Sequence, residues 1–215
     1  MRKPVAKKAK RRGRGPSLKK TAETRRAIME AALSIFLERG YSDTRVMDVA
    51  ERAGLAKGTL YLYYADKEAL FEGVLRGSIG EPVIALAASS RKAHETTRTF
   101  VERTILPFLR DLESSQRAAV VRLVIAEGSR FPALASMYRH VVLEPAMNWI
   151  RQLAAGAVAR GELKSEALVR FPLLLLSPGL MAMIWNGLYG AEQPIDAANA
   201  FEAFLDLIYP KRVRG

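Results

Sequence analysis

The segment from Thr44 to Tyr64, TRVMDVAERAGLAKGTLYLYY, decides the fold, because it reads as two short helices joined by a tight turn. Val46, Val49, Ala50 and Ala53 recur at i, i+3, i+4 and i+7 and share one apolar helix face, with Thr44 placed to cap the helix start. Gly54 ends that helix, since only glycine reaches the left-handed backbone of such a stop without steric cost. The second helix begins near Lys57. Leu60 and Tyr64 lie one turn apart and face inward, while Lys57, Thr59, Tyr61 and Tyr63 point elsewhere. The outward set carries the chemistry of a DNA-reading helix. Lys57 can neutralise a phosphate, Gly58 lets backbone approach closely, Thr59 reaches a base edge or phosphate oxygen, and the tyrosines offer hydroxyl donors. A purely structural helical hairpin carries the same glycine turn, so these cues alone leave both readings open.

Outward from this segment, Thr24 to Leu75 resembles the TetR/AcrR transcriptional regulators along its whole length. The resemblance rests on Ala31-Ala32, Ile35-Phe36, Glu38-Arg39-Gly40-Tyr41, Thr44, Val49-Ala50, Ala53-Gly54, Lys57-Gly58-Thr59-Leu60-Tyr61 and Lys67-Glu68-Ala69-Leu70. In that family the residues matching Thr44, Lys57, Gly58, Thr59, Tyr61, Tyr63 and Lys67 line the DNA surface, so the resemblance implies that role for them here. Lys67 also makes independent sense, because it follows Asp66, the expected cap of the next helix, where backbone N–H groups and a cation favour phosphate. Three positions depart from the family pattern: Ala56 replaces a serine, Leu62 an arginine and Tyr63 a histidine. A lost serine cap costs about 1 kcal/mol, and a lost base-reading side chain changes preference by about 1–3 kcal/mol, so the departures bear on the operator sequence and not on the fold.

Composition agrees with a DNA-binding protein. The chain has 215 residues, 49% of them apolar, and no cysteine, which excludes disulfides, thiolate metal sites and cysteine nucleophiles. The net charge of +12 is concentrated at one end, where residues 1–20 carry 10 Lys and Arg and no acid while the remaining 24 basic and 22 acidic residues nearly cancel. This stretch has no apolar period and reads as a disordered basic arm whose partner is a polyanion. Arg12-Gly13-Arg14-Gly15-Pro16 is similar to a minor-groove hook, with Arg12 and Arg14 as its candidate contacts; a solvated, nonspecific tail is the alternative. The arm lacks the apolar core of a secretory signal, and the expected location is cytoplasmic.

Beyond Leu75 the pattern stays helical, with six further helices and about nine in all, so the expected fold is all-α. Three units are expected: the arm (1–20), a three-helix DNA-binding head (21–66) and a helical effector-binding and dimerisation domain (67–215). The helix after Pro132 should kink at Pro145 and stop at Gly161. Leu123 to Leu163 resembles the ligand-binding half of the AefR-like subgroup. Phe171 to Ala191 has 21 residues without a charge, yet Pro178-Gly179 in its middle would free backbone groups in lipid, so it reads as a buried interface helix. In the resembled family the last two long helices pair with their copies in a second subunit, which implies a homodimer on a palindromic site. Met137, Tyr138, Met147, Trp149, Phe171, Met181, Met183 and Trp185 are the candidate walls of a pocket for a small apolar effector.

Enzymatic motifs are missing: there is no HExxH, Walker loop, dinucleotide fingerprint or nucleophile elbow. His94 and His140 each stand alone, without a second ligand at metal spacing, and no cofactor is expected. The sequence therefore reads as a one-component regulator, a repressor released by its effector. An architectural DNA-binding protein relying on the arm is the alternative.

Overall fold

A computed structural model describes residues 18–209, so Arg12 and Arg14 lie outside the described residues. The regular elements described are helices: α1 (Leu18–Asp43), α2 (Val46–Arg52), α3 (Lys57–Tyr61), α4 (Lys67–Leu75), α5 (Glu81–Ala87), α6 (Thr97–Arg110), α7 (Arg117–Glu127), α8 (Pro132–Tyr138), α9 (Glu144–Ala159), α10 (Ala167–Arg170), α11 (Leu173–Tyr189) and α12 (Ala197–Ile208). Single π turns, Arg76–Gly80 and Arg139–Leu143, join α4 to α5 and α8 to α9 without a break. The all-α expectation holds. The four-residue α10 was not foreseen, because a segment that short shows no period.

Both π turns have a covalent cause. Glu81 N–H reaches back to the Arg76 carbonyl and Glu144 N–H to that of Arg139, and in each case the next residue is a proline with no N–H to give. The kink expected at Pro145 thus takes the form of a widened turn. The carbonyl that Pro82 leaves orphaned, on Ser78, accepts instead from Arg117 Nε at 3.0 Å. Pro178 inside α11 is handled similarly, since the Ser177 hydroxyl donates to the Leu174 carbonyl at 2.7 Å.

Helix starts follow local chemistry. Asp66 caps α4 by accepting from Ala69 N–H at 2.7 Å, and Asp196 caps α12 by accepting from Asn199 N–H at 2.9 Å. Thr44 does not cap α2: the cap position is Arg45, with no side-chain bond. Instead the Thr44 hydroxyl donates to the Gly40 carbonyl at 2.6 Å and so closes the end of α1. Ala56, at the cap of α3, likewise satisfies no amide. Ala56→Ser is expected to stabilise the protein by about 1 kcal/mol and raise Tm by about 2–4 °C. An unchanged melting curve would mean that water already serves those amides equally well.

Two apolar cores result. The first contains Ile28, Ile35 and Phe36 of α1, Val49 of α2 and Leu60 of α3, and runs on through Leu70, Phe71, Val120, Val124, Leu134 and Val142. It therefore continues across residue 66 into α4, α7 and α8. The second holds Val101, Ile150, Leu175, Phe201 and Leu205, from α6, α9, α11 and α12.

Candidate nucleic-acid interface and effector cavity

Helix α2 is pinned to α1 by ion pairs. Arg52 makes a two-pronged bond to Glu38 at 2.8 and 2.9 Å, which holds the Glu38 carboxyl down to about 2, and Arg39 pairs with Asp48. Fully buried Leu60 then fixes the rotation of α3, leaving Lys57, Gly58 and Tyr61 exposed and Thr59 half-buried. The Lys57 ammonium lies 5.8 Å from the centre of the Tyr61 ring, so cation and hydroxyl share one surface. A methyl group at Gly58 would meet nothing within 4 Å, which leaves that backbone open to close approach. Tyr64 turns inward as expected, its hydroxyl 2.9 Å from Met29 Sδ.

Three candidate DNA contacts sit differently from expectation. Thr44 is only 2% exposed, spent on the α1 terminus. Tyr63, expected outside, is half-buried against the first core. Lys67 donates to the Tyr41 and Ser42 carbonyls at 2.9 and 3.1 Å and lies 4.4 Å from the Tyr41 ring centre, so its charge serves the C-terminal carbonyls of α1. The reason is the fold of α1 back onto α4, which places orphan carbonyls nearer than solvent. Arg45 and Leu62 were not among the site residues expected, yet both are exposed beside α2 and α3, Leu62 at 85%. A basic residue directly after the expected cap was the available signal for Arg45. Tyr61→Phe is expected to weaken operator binding severalfold, about 1 kcal/mol, with the fold intact. Fluorescence anisotropy on the operator measures this, and unchanged affinity removes Tyr61 from the contacts.

The corner at Gly40 joins this head to the rest of the molecule. Gly40 has φ 74 and ψ 176, a backbone region that side chains do not tolerate. The corner points Tyr41 N–H and Ser42 N–H at the Glu127 carboxylate, at 2.7 and 3.1 Å. Glu127 is the last residue of α7. Tyr41 itself, 2% exposed, packs on Phe36, Phe71 and Phe131, and its hydroxyl donates to Glu68 at 2.9 Å; burial, with Glu68 beside it, pushes the phenol pKa upward.

A cavity of about 700 Å³ opens between the two cores. Ile79, Val121 and Val142 form its wall from the first core, and Ile105, Ile150 and Phe201 its wall from the second. Of the expected wall residues, Tyr138, Met147, Trp149, Phe171 and Met183 line it, whereas Met137, Met181 and Trp185 do not. Helical phase explains α11: residues two apart point about 200° apart, so Met183 faces in while Met181, 59% exposed, faces out with Trp185. The Trp185 ring N–H donates to the Gln193 carbonyl at 2.7 Å. Met137 packs instead against the first core.

Met181 and Leu188 of α11 and Leu207 of α12 are exposed apolar residues off the cavity wall, whereas Leu173 and Leu180, also partly exposed, line the cavity. Among the described residues, no helix is long and apolar enough to cross a membrane, and no cluster of three or more His, Cys, Asp or Glu could hold a metal ion. His140 pairs with Glu144 at 2.8 Å.

A helix-turn-helix head on a helical domain with an apolar cavity defines a class of DNA-binding regulators. The model of bacterial regulatory proteins of the tetR family matches residues 28–74, and that of the tetracyclin repressor-like C-terminal domain matches residues 94–206. The second match alone spans over half the chain, and the chain belongs to the TetR family of transcriptional regulators. The finer AefR-like resemblance gains no support from these matches. The HTH-type transcriptional repressor BepR of Brucella suis biovar 1 is 27% identical over 157 residues, 67% of this chain and 71% of that protein. Two Bacillus subtilis relatives are matched over only 18% and 28% of their own lengths. Among solved structures, the regulator FadR of Bacillus subtilis in complex with stearoyl-CoA is 17% identical with a TM-score of 0.66, covering 86% of this chain and 97% of that one. The SmeT–triclosan complex is 17% identical with a TM-score of 0.70, covering 89% and 94%. At such identities the likeness concerns the fold.

Proposed function

We propose that this chain is a homodimeric, one-component repressor that leaves a palindromic operator when a small apolar effector enters the cavity. The observation that carries this reading is the position of the cavity between the core that holds the DNA-reading helices and the core that carries α11 and α12. A ligand there bears on the placement of one core against the other. Helix α7 supplies a mechanical route, since Val121 lines the cavity and Glu127, less than two turns on, holds the Gly40 corner. An effector that prefers the form with wrongly spaced reading helices shifts the population away from DNA by its differential affinity, and operator must weaken effector binding by the same factor. The ligands named in the FadR and SmeT complexes support a cavity of this kind as an effector site.

Lys57, Gly58, Thr59 and Tyr61 are the proposed DNA-facing set, with the basic arm ahead of α1 following phosphates; the arm expected over residues 1–20 is shortened at its end, because α1 already begins at Leu18. We assign the head to residues 21–66 and the effector and dimerisation part to 67–215, and place the protein in the cytoplasm with the DNA it reads. Selection of bound sequences from a random duplex library by the full-length protein tests the reading. A palindrome with half-sites about one helical turn apart is expected. Salt-sensitive binding that enriches no sequence would favour an architectural protein instead.

A further inference from the structure

We infer that the cavity takes an anionic amphiphile, a hydrocarbon body whose oxygen-anion head is held by Arg117 and the Tyr138 hydroxyl. This rests on the effector reading above and narrows it to a chemical class. The charges of the wall carry the argument: the ionisable side chains lining it are Arg117, Arg151, Arg170 and Tyr138, and no Asp or Glu lines it. A cation entering this cavity meets like charge in an apolar surround, with no counter-charge on the wall. An anion meets complementary charge.

Arg117 is held rigidly for this task. Its Nε donates to the Ser78 carbonyl at 3.0 Å and its Nη1 to Asp111 at 2.9 Å, while its plane covers the Phe108 ring at 5.0 Å. These bonds leave the Nη2 hydrogens without a partner among the described residues. Asp111, which orients the guanidinium, is half exposed and lies off the cavity wall. The Tyr138 hydroxyl also makes no hydrogen bond among the described residues. Burial pushes its pKa up to about 12, so at neutral pH it keeps its proton and can donate it to an oxygen anion. A hydroxyl and two guanidinium N–H groups without protein partners line the same cavity, whose wall is otherwise apolar apart from Ser177 and the exposed Arg151 and Arg170, and together they suit one ligand head. Arg151 and Arg170 are exposed and belong to the open rim, where their charge attracts the same head on entry.

Calorimetric titration of the full-length protein with three probes of one chain length tests the assignment: dodecanoate, dodecanol and dodecyltrimethylammonium. Dodecanoate should bind at least about tenfold tighter than dodecanol, because charge-assisted hydrogen bonds exceed neutral ones, and the cation should bind weakest. Arg117→Met should erase the preference for dodecanoate while dodecanol affinity, which reports an intact cavity, stays within about twofold. Tyr138→Phe should lower dodecanoate affinity about threefold to tenfold, and it keeps the test alive if Arg117→Met fails to fold. Equal binding of the three probes, or tightest binding of the cation, overturns this assignment while leaving an apolar effector in place. Binding of none overturns both readings.

Discussion

Replacing Leu188 by glutamate is expected to leave a folded monomer that binds operator at least about a hundredfold more weakly. Leu188 is 69% exposed on α11, so the charge costs a single chain little. The consequence lies in the second copy. On α11, Met181 and Leu188 lie two turns apart on one exposed apolar face, and Leu207 of the adjoining α12 is exposed as well. A two-fold pairing of such a face brings each patch against its own copy, so one substitution places two carboxylates in the seam without partners. One head contacting a single half-site loses the effective concentration that a fixed second head provides. Light scattering after gel filtration reads the mass, circular dichroism confirms the helices, and anisotropy reads operator affinity. A dimer with undiminished affinity would move the seam elsewhere. Leu207→Glu, on the neighbouring helix, should give the same result.

The helices and their ends were largely legible in the sequence because each signal is local. Val49 and Leu60 declare the inner faces of α2 and α3, Asp66 caps the helix that follows it, and glycine stops at Gly54 and Gly161 need only a positive φ, 66 and 69. The site was less legible, and each miss has a distance behind it. Lys67 looks like a phosphate ligand until α1 and α4 fold together and its ammonium meets carbonyls 25 and 26 positions away in sequence. Thr44 looks like a cap because it precedes α2, yet its hydroxyl is already bound four residues back. On α11 the choice between Met181 and Met183 was open to helical phase, but which phase faces the cavity depends on packing against other helices. The Glu127 link spans 85 and 86 residues and no pattern in the chain announces it.

That link supplies the other large expected effect. Gly40→Ala should cost about 2–4 kcal/mol of stability and, well below the melting temperature, weaken operator binding about tenfold or more. Two costs add. At φ 74 and ψ 176 any side chain is strained, by about 1–3 kcal/mol, and the new methyl would fall 2.5 Å from Glu127 Oε1, so the carboxylate must leave. Its departure strands the Tyr41 and Ser42 amides, which it binds at 2.7 and 3.1 Å. Glu127→Ala removes the same two bonds without the backbone strain, so it should melt higher than Gly40→Ala yet lose operator affinity to a similar extent. The double substitution should then cost less than the sum of the singles, because both act on one contact. A further reading separates a coupling strut from a merely stabilising one. If α7 carries the effector's influence to the head, Glu127→Ala should bind effector with near-normal affinity but show a smaller difference between its affinities with and without operator. Additive losses of stability with that difference unchanged would make the Gly40 corner a structural joint alone, and would leave the first core itself, continuous from α1 through α4 to α8, as the route by which a filled cavity moves the reading helices.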